Sequence, residues 1–563
     1  MILFQIAEFL EIQGVQFKPR AYRRAAQTIE SLPMSVEDVY NEGKLQELPG
    51  IGVSIAKKIE EYLKTGRLEY YEKLKRELPI GLLRLTSVPG LGPKRAKTLY
   101  DKLGVESLEE LELAASEHKI SNLEGFGEKL EKEILEAVWK ARKKKERKLL
   151  GFVLPIASEI INELKKIKEV KAISPAGSLR RKKDTVGDVD VLVSSLHAEK
   201  IMDHFTSLEM VTEVLAKGDT KSSVVLDSGL QVDLQVVNKG SYGSALQYFT
   251  GSKQHNIKLR KIAIEKNLKL NEYGVFSKIS KEKIAGESEE EVYSVLGLPF
   301  IEPELREDRG EVEAAVDGRL PKLLEVSDVK GDLHIHSNWS DGTASITELA
   351  KHGQQMGYEY ICITDHTSTL RIAHGLSEEK ILEQINVIEQ VNNDLEGFEV
   401  LSGAEVNLMA DGSLDVSNEV LQKLDVVIAA VHTGFKADSD KMTKRLLKGI
   451  ENENIDIVGH PTGRIIDERE GYTFDFEEVF DAAKDAGVCF EINAFPDRLD
   501  LNDINTRIAK ERGVTLSIGT DSHTLGHMRY MEFGVAVARR GWLEKEDVIN
   551  TLSITDLKRR LNR

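Results

Sequence analysis

The chain has 563 residues and a net charge of −17, from 94 acidic against 77 basic side chains, and its length predicts about three or four domains. No stretch approaches the roughly eighteen consecutive apolar residues of a membrane span, no secretory signal pattern precedes the first helix, and the two cysteines, Cys362 and Cys489, lie in apolar runs. These features argue against a membrane protein or a disulfide scaffold, and we expect a soluble, cytoplasmic protein with no membrane partner.

The acidic excess lies beyond residue 330. Residues 331–563 hold 24 basic and 41 acidic residues and nine of the 13 histidines, whereas residues 1–330 are balanced in charge. Acidic side chains mixed with histidines favour metal binding over a nucleic-acid surface. Histidine chemistry is therefore expected in the C-terminal part.

Residues 1–150 are predicted to be almost entirely helical and contain an internal repeat. The segments 48–52 (L-P-G-I-G), 88–92 (V-P-G-L-G) and 123–127 (L-E-G-F-G) each precede a lysine-bearing helix. Such a hairpin presents backbone N–H groups to a phosphate without reading a base. An ordinary turn explains one copy better than it explains three. The repeats resemble helix-hairpin-helix motifs, and the DNA-binding candidates are Gly50, Gly52, Gly90, Gly92, Lys94, Gly125 and Gly127.

Three aspartates lie in predicted strands of the next region. Asp188 and Asp190 are two residues apart, so they share one strand face, and Asp233 lies in a second β-branched run. A buried carboxylate is costly unless it meets a cation, so three of them predict a divalent metal site. Two surface aspartates are the alternative for the D-x-D pair alone.

A phosphate-binding pattern precedes these aspartates. The run 177–181 (G-S-L-R-R) offers close backbone approach, a hydroxyl and guanidinium groups, which suit a triphosphate. A G-S pair ahead of D-x-D is the nucleotidyltransferase arrangement, in which two metals hold the attacking 3′-oxygen and the leaving pyrophosphate.

The run 248–252 (Y-F-T-G-S), followed by His255, Asn256 and Arg260, completes a resemblance. Residues 1 to about 300 resemble a family X DNA polymerase, similar to DNA polymerase beta, which fills short gaps in DNA repair. The resemblance implies that Asp188, Asp190 and Asp233 bind Mg²⁺ or Mn²⁺, and that Asp233 activates the primer 3′-hydroxyl. It implies nucleotide binding by Gly177, Ser178, Arg181, Gly187, Tyr248, Phe249, Gly251 and Asn256. Arg260 would touch the template base, Lys58 would be the lyase lysine, and Gln231 replaces an arginine common before the third aspartate.

The C-terminal part contains seven apolar runs separated mostly by segments of helical period. They are Gly331–Ile335, Tyr360–Ile363, Glu399–Ser402, Val426–Val431, Ile455–Val458, Val488–Ile492 and Val514–Ile518. Alternating strands and helices predict a parallel barrel whose site lies at the C-terminal strand ends. Metal-ligand candidates lie at or just past those ends: His334, His336, His366, Glu405, His432, His460, Asp521 and His523. For one of these positions the alternative is a hydrogen-bonded histidine of the core. That alternative does not explain six histidines at equivalent positions of the barrel.

The segments 332–342 (D-L-H-I-H-S-N-W-S-D-G), 363–366 (I-T-D-H), 459–461 (G-H-P) and 520–523 (T-D-S-H) resemble the polymerase and histidinol phosphatase (PHP) domain. The resemblance implies up to three zinc or manganese ions. One would be bound by His334, His336, Glu405 and Asp521, a second by Glu405, His432 and His460, and a third by Asp341, His366 and His523.

The sequence thus predicts a multidomain repair polymerase. Its regions are a helix-hairpin-helix domain (1–80), helix-hairpin-helix fingers (81–150), an α+β nucleotidyltransferase palm (151–240), a thumb (241–300), a linker (301–330) and a distorted (β/α)₇ PHP barrel (331–563). We expect a monomer that uses gapped or primer-template DNA and deoxynucleoside triphosphates, with a 3′–5′ exonuclease and abasic endonuclease or 3′-phosphatase as further activities of the barrel. The alternatives are another nucleotidyltransferase with a structural PHP domain, and a binding or scaffold protein.

Overall fold

The computed structural model describes residues 2–561 except 16, 31–35, 42, 66, 80–81, 83–84, 87, 89–90, 124, 136–146 and 371–372. The chain forms two compact units. The first comprises Met1–Arg147, Ile167–Ser174 and Asp190–Leu298, and the second comprises Lys148–Lys166, Pro175–Val189 and Pro299–Arg563. Within the described residues, no helix is long and apolar enough to cross a bilayer.

Short helices build the N-terminal part of the first unit. They span Ile2–Ile12, Lys18–Glu30, Val36–Asn41, Val53–Thr65, Glu69–Glu77, Pro93–Leu103, Leu108–Ser116 and 128–135. Helices this short are marginal in water and depend on packing. One apolar core, with members from Ile6 to Ile134, supplies that packing. The predicted division at residue 80 falls inside this shared core.

A five-stranded sheet carries two of the three predicted polymerase aspartates, Asp190 and Asp233, whereas Asp188 lies just before the strand of Asp190 rather than in it. Its strands, in spatial order, are Ala172–Pro175, Val189–Ser194, Gln231–Val237, Lys221–Leu226 and Val211–Lys217. Helix Ala198–Thr206 packs on this sheet through Ile201, Met202 and Phe205. The two strands that contain Asp190 and Asp233 are therefore neighbours.

The thumb region begins with two helices, Tyr242–Thr250 and Lys253–Glu265. Gly251 ends the first of them in a left-handed conformation (φ +71°), and the Ser252 side chain caps the second by accepting a hydrogen bond from the His255 N–H. An antiparallel sheet of Leu268–Asn271, Gly274–Ser277 and Lys283–Ala285 follows, and then helix Glu289–Val295.

Seven parallel strands form a nearly closed barrel in the second unit. They are Gly331–Ile335, Tyr360–Ile363, Glu399–Asn407, Val426–Ala430, Ile457–Gly459, Cys489–Asn493 and Leu516–Gly519, paired in chain order. The His336 N–H donates to the Ser522 carbonyl (2.8 Å), which links the first strand to the end of the seventh. The helices are Ile346–Gln355, Glu378–Asn393, Asn418–Leu421, Ser439–Ile450, Phe476–Ala486, Asp503–Arg512, Met531–Arg540 and Ile554–Arg560.

The predicted barrel is confirmed, and six of its strands begin and end within two residues of the predicted bounds. The third strand is longer, because residues 399–402 pair with the second strand and residues 403–407 pair with the fourth. Glu405 therefore lies inside a strand rather than past its end.

The second unit also contains segments from the predicted palm and linker. Lys148–Leu149 pairs antiparallel with Thr185–Val186, and helices Leu150–Lys165 and Gly177–Arg180 lie between these two strands in the chain. The predicted linker is folded, since it carries helix Glu311–Val316 and the fully buried Arg306, whose Nε donates to the Ile301 carbonyl (2.8 Å).

Candidate functional sites

The predicted metal ligands gather at the C-terminal end of the barrel. Three groups have ligand atoms that all lie within 4.8 Å of one another: His336, Asp341, His366 and His523; His334, His336 and Asp521; and His366, Glu405 and His432. The ninth predicted ligand, His460, places Nε2 2.7 Å from Glu405 Oε1. The structure thus brings together all nine residues, and His366 belongs to the group of Glu405 and His432 as well as to that of Asp341 and His523. Their assignment to individual ions stays a prediction.

Glu405 lies at the centre of this cluster. Its oxygens are 2.8 Å from His366 Nδ1, 3.2 Å from His432 Nε2, and 3.6 Å from His334 Nε2 and His336 Nε2. Imidazoles that lie at or just past the ends of the first, second and fourth barrel strands therefore converge on one carboxylate.

The donor atoms fit metal ions. Among the described residues, His336 Nδ1 and His460 Nδ1 are buried without a hydrogen-bond partner. Unsatisfied buried polar atoms are rare in native proteins and call for an explanation, such as an ion. Imidazole nitrogens with carboxylate oxygens are ligands that suit zinc and manganese.

In the metal-free chain, electrostatics keep His336 neutral and Glu405 ionised. Burial, together with the charge of His366, lowers the pKa of His336 to about 3. Burial opposes ionisation of Glu405, but the charges of His366, His432 and His334 outweigh it and hold the pKa of Glu405 well below its usual value. A neutral imidazole and an ionised carboxylate are the forms that bind a cation.

The sequence reasoning missed residues that orient these ligands. Glu491 accepts from His334 Nδ1 (2.7 Å) and from the His460 N–H (2.6 Å), and Asn493 donates to Asp521 Oδ2 (3.1 Å). A partner on the second ring nitrogen fixes which imidazole nitrogen faces the metal. The available signal was one charged residue, Glu491, within the apolar sixth strand.

Two further buried aspartates lie inside the recognised motifs but were given no role. Asp365 accepts from the Ser337 N–H (2.8 Å) and from Gln384 Nε2 (2.6 Å). Asp332 accepts from the Thr520 N–H (3.2 Å), and burial raises its pKa to about 7. Both hold the loops from which the ligands project.

In the palm, Asp190 and Asp233 are partly buried on adjacent strands. Asp233 accepts from Ser223 Oγ (2.6 Å) and from Gln231 Nε2 (2.9 Å), and Lys221 Nζ lies 3.4 Å away. Burial opposes ionisation of Asp233, but these neighbours outweigh it and lower its pKa. Gln231 thus takes part in tuning Asp233. Asp188 is exposed, two positions before Asp190.

The predicted triphosphate residues occupy a short helix and its end. Gly177, in a left-handed conformation (φ +59°), begins helix Gly177–Arg180, which also contains Ser178. Arg181 follows the helix, and its Nε donates to Glu307 Oε1 (2.8 Å). Gly187 lies in the bend between the strands 185–186 and 189–194.

The thumb residues contact one another. Asn256 Nδ2 donates to the Tyr248 carbonyl (2.8 Å), and Arg260 Nε donates to the Asn256 carbonyl (3.3 Å). The rings of Tyr248 and Phe249 meet edge to face, with centroids 5.2 Å apart. Their contacts with nucleotides and template stay predictions.

The three glycine hairpins share the same described backbone hydrogen bonds. The N–H groups of Ile51, Leu91 and Phe126 donate to the carbonyls of Leu48, Val88 and Leu123, and each following helix begins with a bond to the carbonyl of Gly52, Gly92 or Gly127. Gly50 and Gly125 are left-handed (φ +83° and +84°), Lys94 is exposed, and Gly90 lies outside the described residues.

Gly52→Val and Gly92→Val are each expected to weaken binding of gapped DNA by about tenfold at fixed salt, whatever its sequence. Neither glycine is left-handed, and a Cβ at either position meets no atom within 4 Å. The valine therefore fits the fold but fills the space that a phosphate would approach. Fluorescence anisotropy measures the affinity and a melting curve controls for folding; unchanged affinity in the folded variants contradicts the phosphate role.

Lys58 lines an open cavity of about 1010 Å³ together with Lys57, Tyr70, Lys73 and other side chains. Its Nζ lies 3.2 Å from Ser54 Oγ and 4.9 Å from the centre of the Tyr70 ring. The lysine is therefore accessible, and its lyase role stays a prediction.

Family models match most of the chain. They are a helix-hairpin-helix domain (residues 1–68), a SAM-like helix-hairpin-helix tandem (82–138), the DNA polymerase beta palm (153–260), the DNA polymerase beta thumb (245–307) and the PHP domain (332–495). The order of the matches is the predicted order of regions.

Curated relatives cover the whole chain or its C-terminal part. The DNA polymerase/3′-5′ exonuclease PolX of Bacillus subtilis (strain 168) is 39% identical over 565 residues, covering 100% of this chain and 98% of that protein. A probable phosphatase of Thermoanaerobacter sp. (strain X514) is 32% identical over 39% of this chain and 89% of its own length. Because the similarity to PolX runs along the entire chain and every family model agrees with it, the protein belongs to the family X DNA polymerases that carry a C-terminal PHP domain.

Proposed function

We infer that this chain carries both activities named for its Bacillus subtilis relative, DNA polymerase and 3′–5′ exonuclease, and we propose that they reside in two separate sites. The palm aspartates would serve extension and the barrel ligands would serve degradation. The observation that carries this division is the cluster of nine metal-ligand candidates in the barrel, which shares no residue with the palm.

In the palm, Asp188, Asp190 and Asp233 would hold Mg²⁺ or Mn²⁺, which prefer oxygen ligands. The ions stabilise charge on the attacking and leaving oxygens. The lowered pKa of Asp233 keeps it ionised, as is required of a ligand and of a group that draws the proton from the primer 3′-hydroxyl. Gly177, Ser178 and Arg181 would hold the triphosphate, while Tyr248, Phe249, Gly251 and Asn256 would position the nucleotide.

In the barrel, zinc or manganese would activate water and neutralise charge on the phosphate. Glu405 would be a ligand shared between ions, and Glu491 orients the His334 imidazole by accepting a hydrogen bond from Nδ1. The buried ring nitrogens without partners, His336 Nδ1 and His460 Nδ1, support bound metal rather than a structural cluster. Phosphomonoester hydrolysis is a second candidate reaction, favoured by the relatives named as probable phosphatases.

The natural substrate we propose is gapped or primer-template DNA during base excision repair. Three hairpins with the same described N–H to carbonyl hydrogen bonds support binding to the sugar-phosphate backbone of DNA. They also argue against the rival reading, a nucleotidyltransferase for another substrate with a merely structural PHP domain.

The test uses one gel. The protein is incubated with labelled gapped DNA and with labelled single-stranded 3′ ends, each in magnesium and in manganese, and its metal content is measured by mass spectrometry. We expect extension only with triphosphates, degradation without them, and at least one barrel metal per chain. Extension without degradation in metal-loaded protein contradicts the nuclease assignment.

A further inference from the structure

Arg540, in the barrel unit, contacts the segment predicted to bind triphosphate. It ends helix Met531–Arg540, and only 4% of its side chain is exposed. Its Nη1 donates to the Arg181 carbonyl (2.9 Å). Arg540 is not among the nine metal-ligand candidates. Its described hydrogen bonds go to Arg181, Glu307 and Asp503, and none goes to a metal-ligand candidate.

Glu307 joins the two arginines. Its Oε1 accepts from Arg181 Nε (2.8 Å) and from Arg540 Nη1 (3.2 Å), and Lys183 Nζ lies 3.9 Å from Oε2. Burial opposes ionisation of Glu307, but the charges of Arg181 and Arg540 outweigh it and lower its pKa. One ionised carboxylate thus holds the Arg181 side chain while Arg540 holds the Arg181 main chain.

The other side of the Arg540 guanidinium is anchored within the barrel unit. Its Nη2 donates to Asp503, the first residue of helix Asp503–Arg512, and Asp503 also pairs with Arg309 (2.9 Å). Arginine presents a planar fork whose donors act at once in fixed directions. The barrel therefore fixes the orientation of Arg540, and Arg540 in turn fixes that of the segment.

From this geometry we propose that Arg540 and Glu307 are positioning residues of the polymerase reaction, which set nucleotide affinity by holding Arg181 in place. The proposal rests on the proposed role of Arg181 in the triphosphate site. Removing one member of a buried charge network leaves its partners uncompensated, and a small displacement of a binding group costs affinity strongly. The PHP domain would thereby contribute to DNA synthesis as well as to degradation.

The test compares single variants of the full-length protein in gap filling and in 3′-end degradation. Arg540→Met is expected to raise the KM for the incoming nucleotide at least about tenfold, with kcat changed by less than about twofold. Arg540→Lys keeps the charge but loses the guanidinium fork, so its KM should lie between the values of the wild type and of Arg540→Met. Exonuclease activity should stay within about twofold of the wild type.

Arg539→Met is the matched control. Arg539 precedes Arg540 on the same helix, is similarly buried, and pairs with Glu304 and Glu325 rather than with Arg181. It should leave the nucleotide KM unchanged. An equal rise of KM in this control would assign the effect to general loosening of the unit and overturn the proposal.

Arg181→Ala separates the proposal from the function on which it rests. If Arg181→Ala raises KM and Arg540→Met does not, the positioning role is wrong. If neither variant raises KM, the triphosphate role of Arg181 is wrong as well. Should Arg540→Met fail to fold, Glu307→Gln, which keeps the side-chain volume, decides by the same measurement: a raised KM supports the proposal and an unchanged KM overturns it.

Discussion

Combining His366→Ala with Asp521→Asn is expected to reduce degradation of DNA 3′ ends by at least about a thousandfold, while gap filling persists. His366 belongs to two of the three ligand groups and Asp521 to the third, so the pair removes a ligand from every group. Because each ion is held by few protein ligands, the metal content should fall too. Release of labelled nucleotides and mass spectrometry of the protein measure the two effects.

His352→Ala is the control for this variant. His352 lies on the helix Ile346–Gln355 and outside the three ligand groups, so its loss should leave metal content and degradation unchanged. A folded double variant that still degrades DNA at the wild-type rate would show that the nuclease lies elsewhere.

The barrel and its ligands could be predicted because parallel strands that are buried on both faces have a simple sequence pattern. Each run is mostly apolar, and functional residues lie at or just past its C-terminal end. His334, His366 and His432 follow this rule. Glu405 departs from it, because the third strand changes partner halfway and continues to Asn407. A change of partner depends on the barrel's closure and leaves no local pattern.

The residues that orient the ligands were harder to predict. Glu491 contacts His334 across 157 positions of sequence, and Asp332 contacts Thr520 across 188. From the sequence alone, Glu491 or Asp332 could equally have been a metal ligand, since carboxylates both bind metal ions and orient other ligands. Only the geometry shows that Glu491 faces the far ring nitrogen of His334.

The residues that hold Arg181 could not be predicted either, because they are distant from the 177–181 run in the sequence. The pattern G-S-L-R-R indicates phosphate chemistry from its residue types, but not what holds Arg181 in place. Glu307 lies in a segment that composition predicted to be a linker, and Arg540 lies 359 positions away. An arginine in an amphipathic helix is normally a surface residue, so the sequence offered no reason to single out Arg540.

Asp188→Asn combined with Asp190→Asn is expected to reduce primer extension by at least about a thousandfold, while degradation of 3′ ends persists. The substitutions keep side-chain volume but remove two negative charges, and hard divalent cations depend on that charge. Asp190 lies on the strand beside that of Asp233, so Asp233 alone would remain to hold the ions. Extension of gapped DNA and release of 3′ nucleotides, measured on the same preparation, test the result.

Asp203→Asn provides the control, because Asp203 lies on the helix Ala198–Thr206 and pairs with Lys217 rather than with the catalytic strands. It should extend primers like the wild type. If the palm double variant also loses its nuclease while it remains folded and bound to DNA, the two activities share a site. Degradation would then have to be reassigned to the palm as pyrophosphorolysis, which pyrophosphate would stimulate and which would release triphosphates instead of monophosphates.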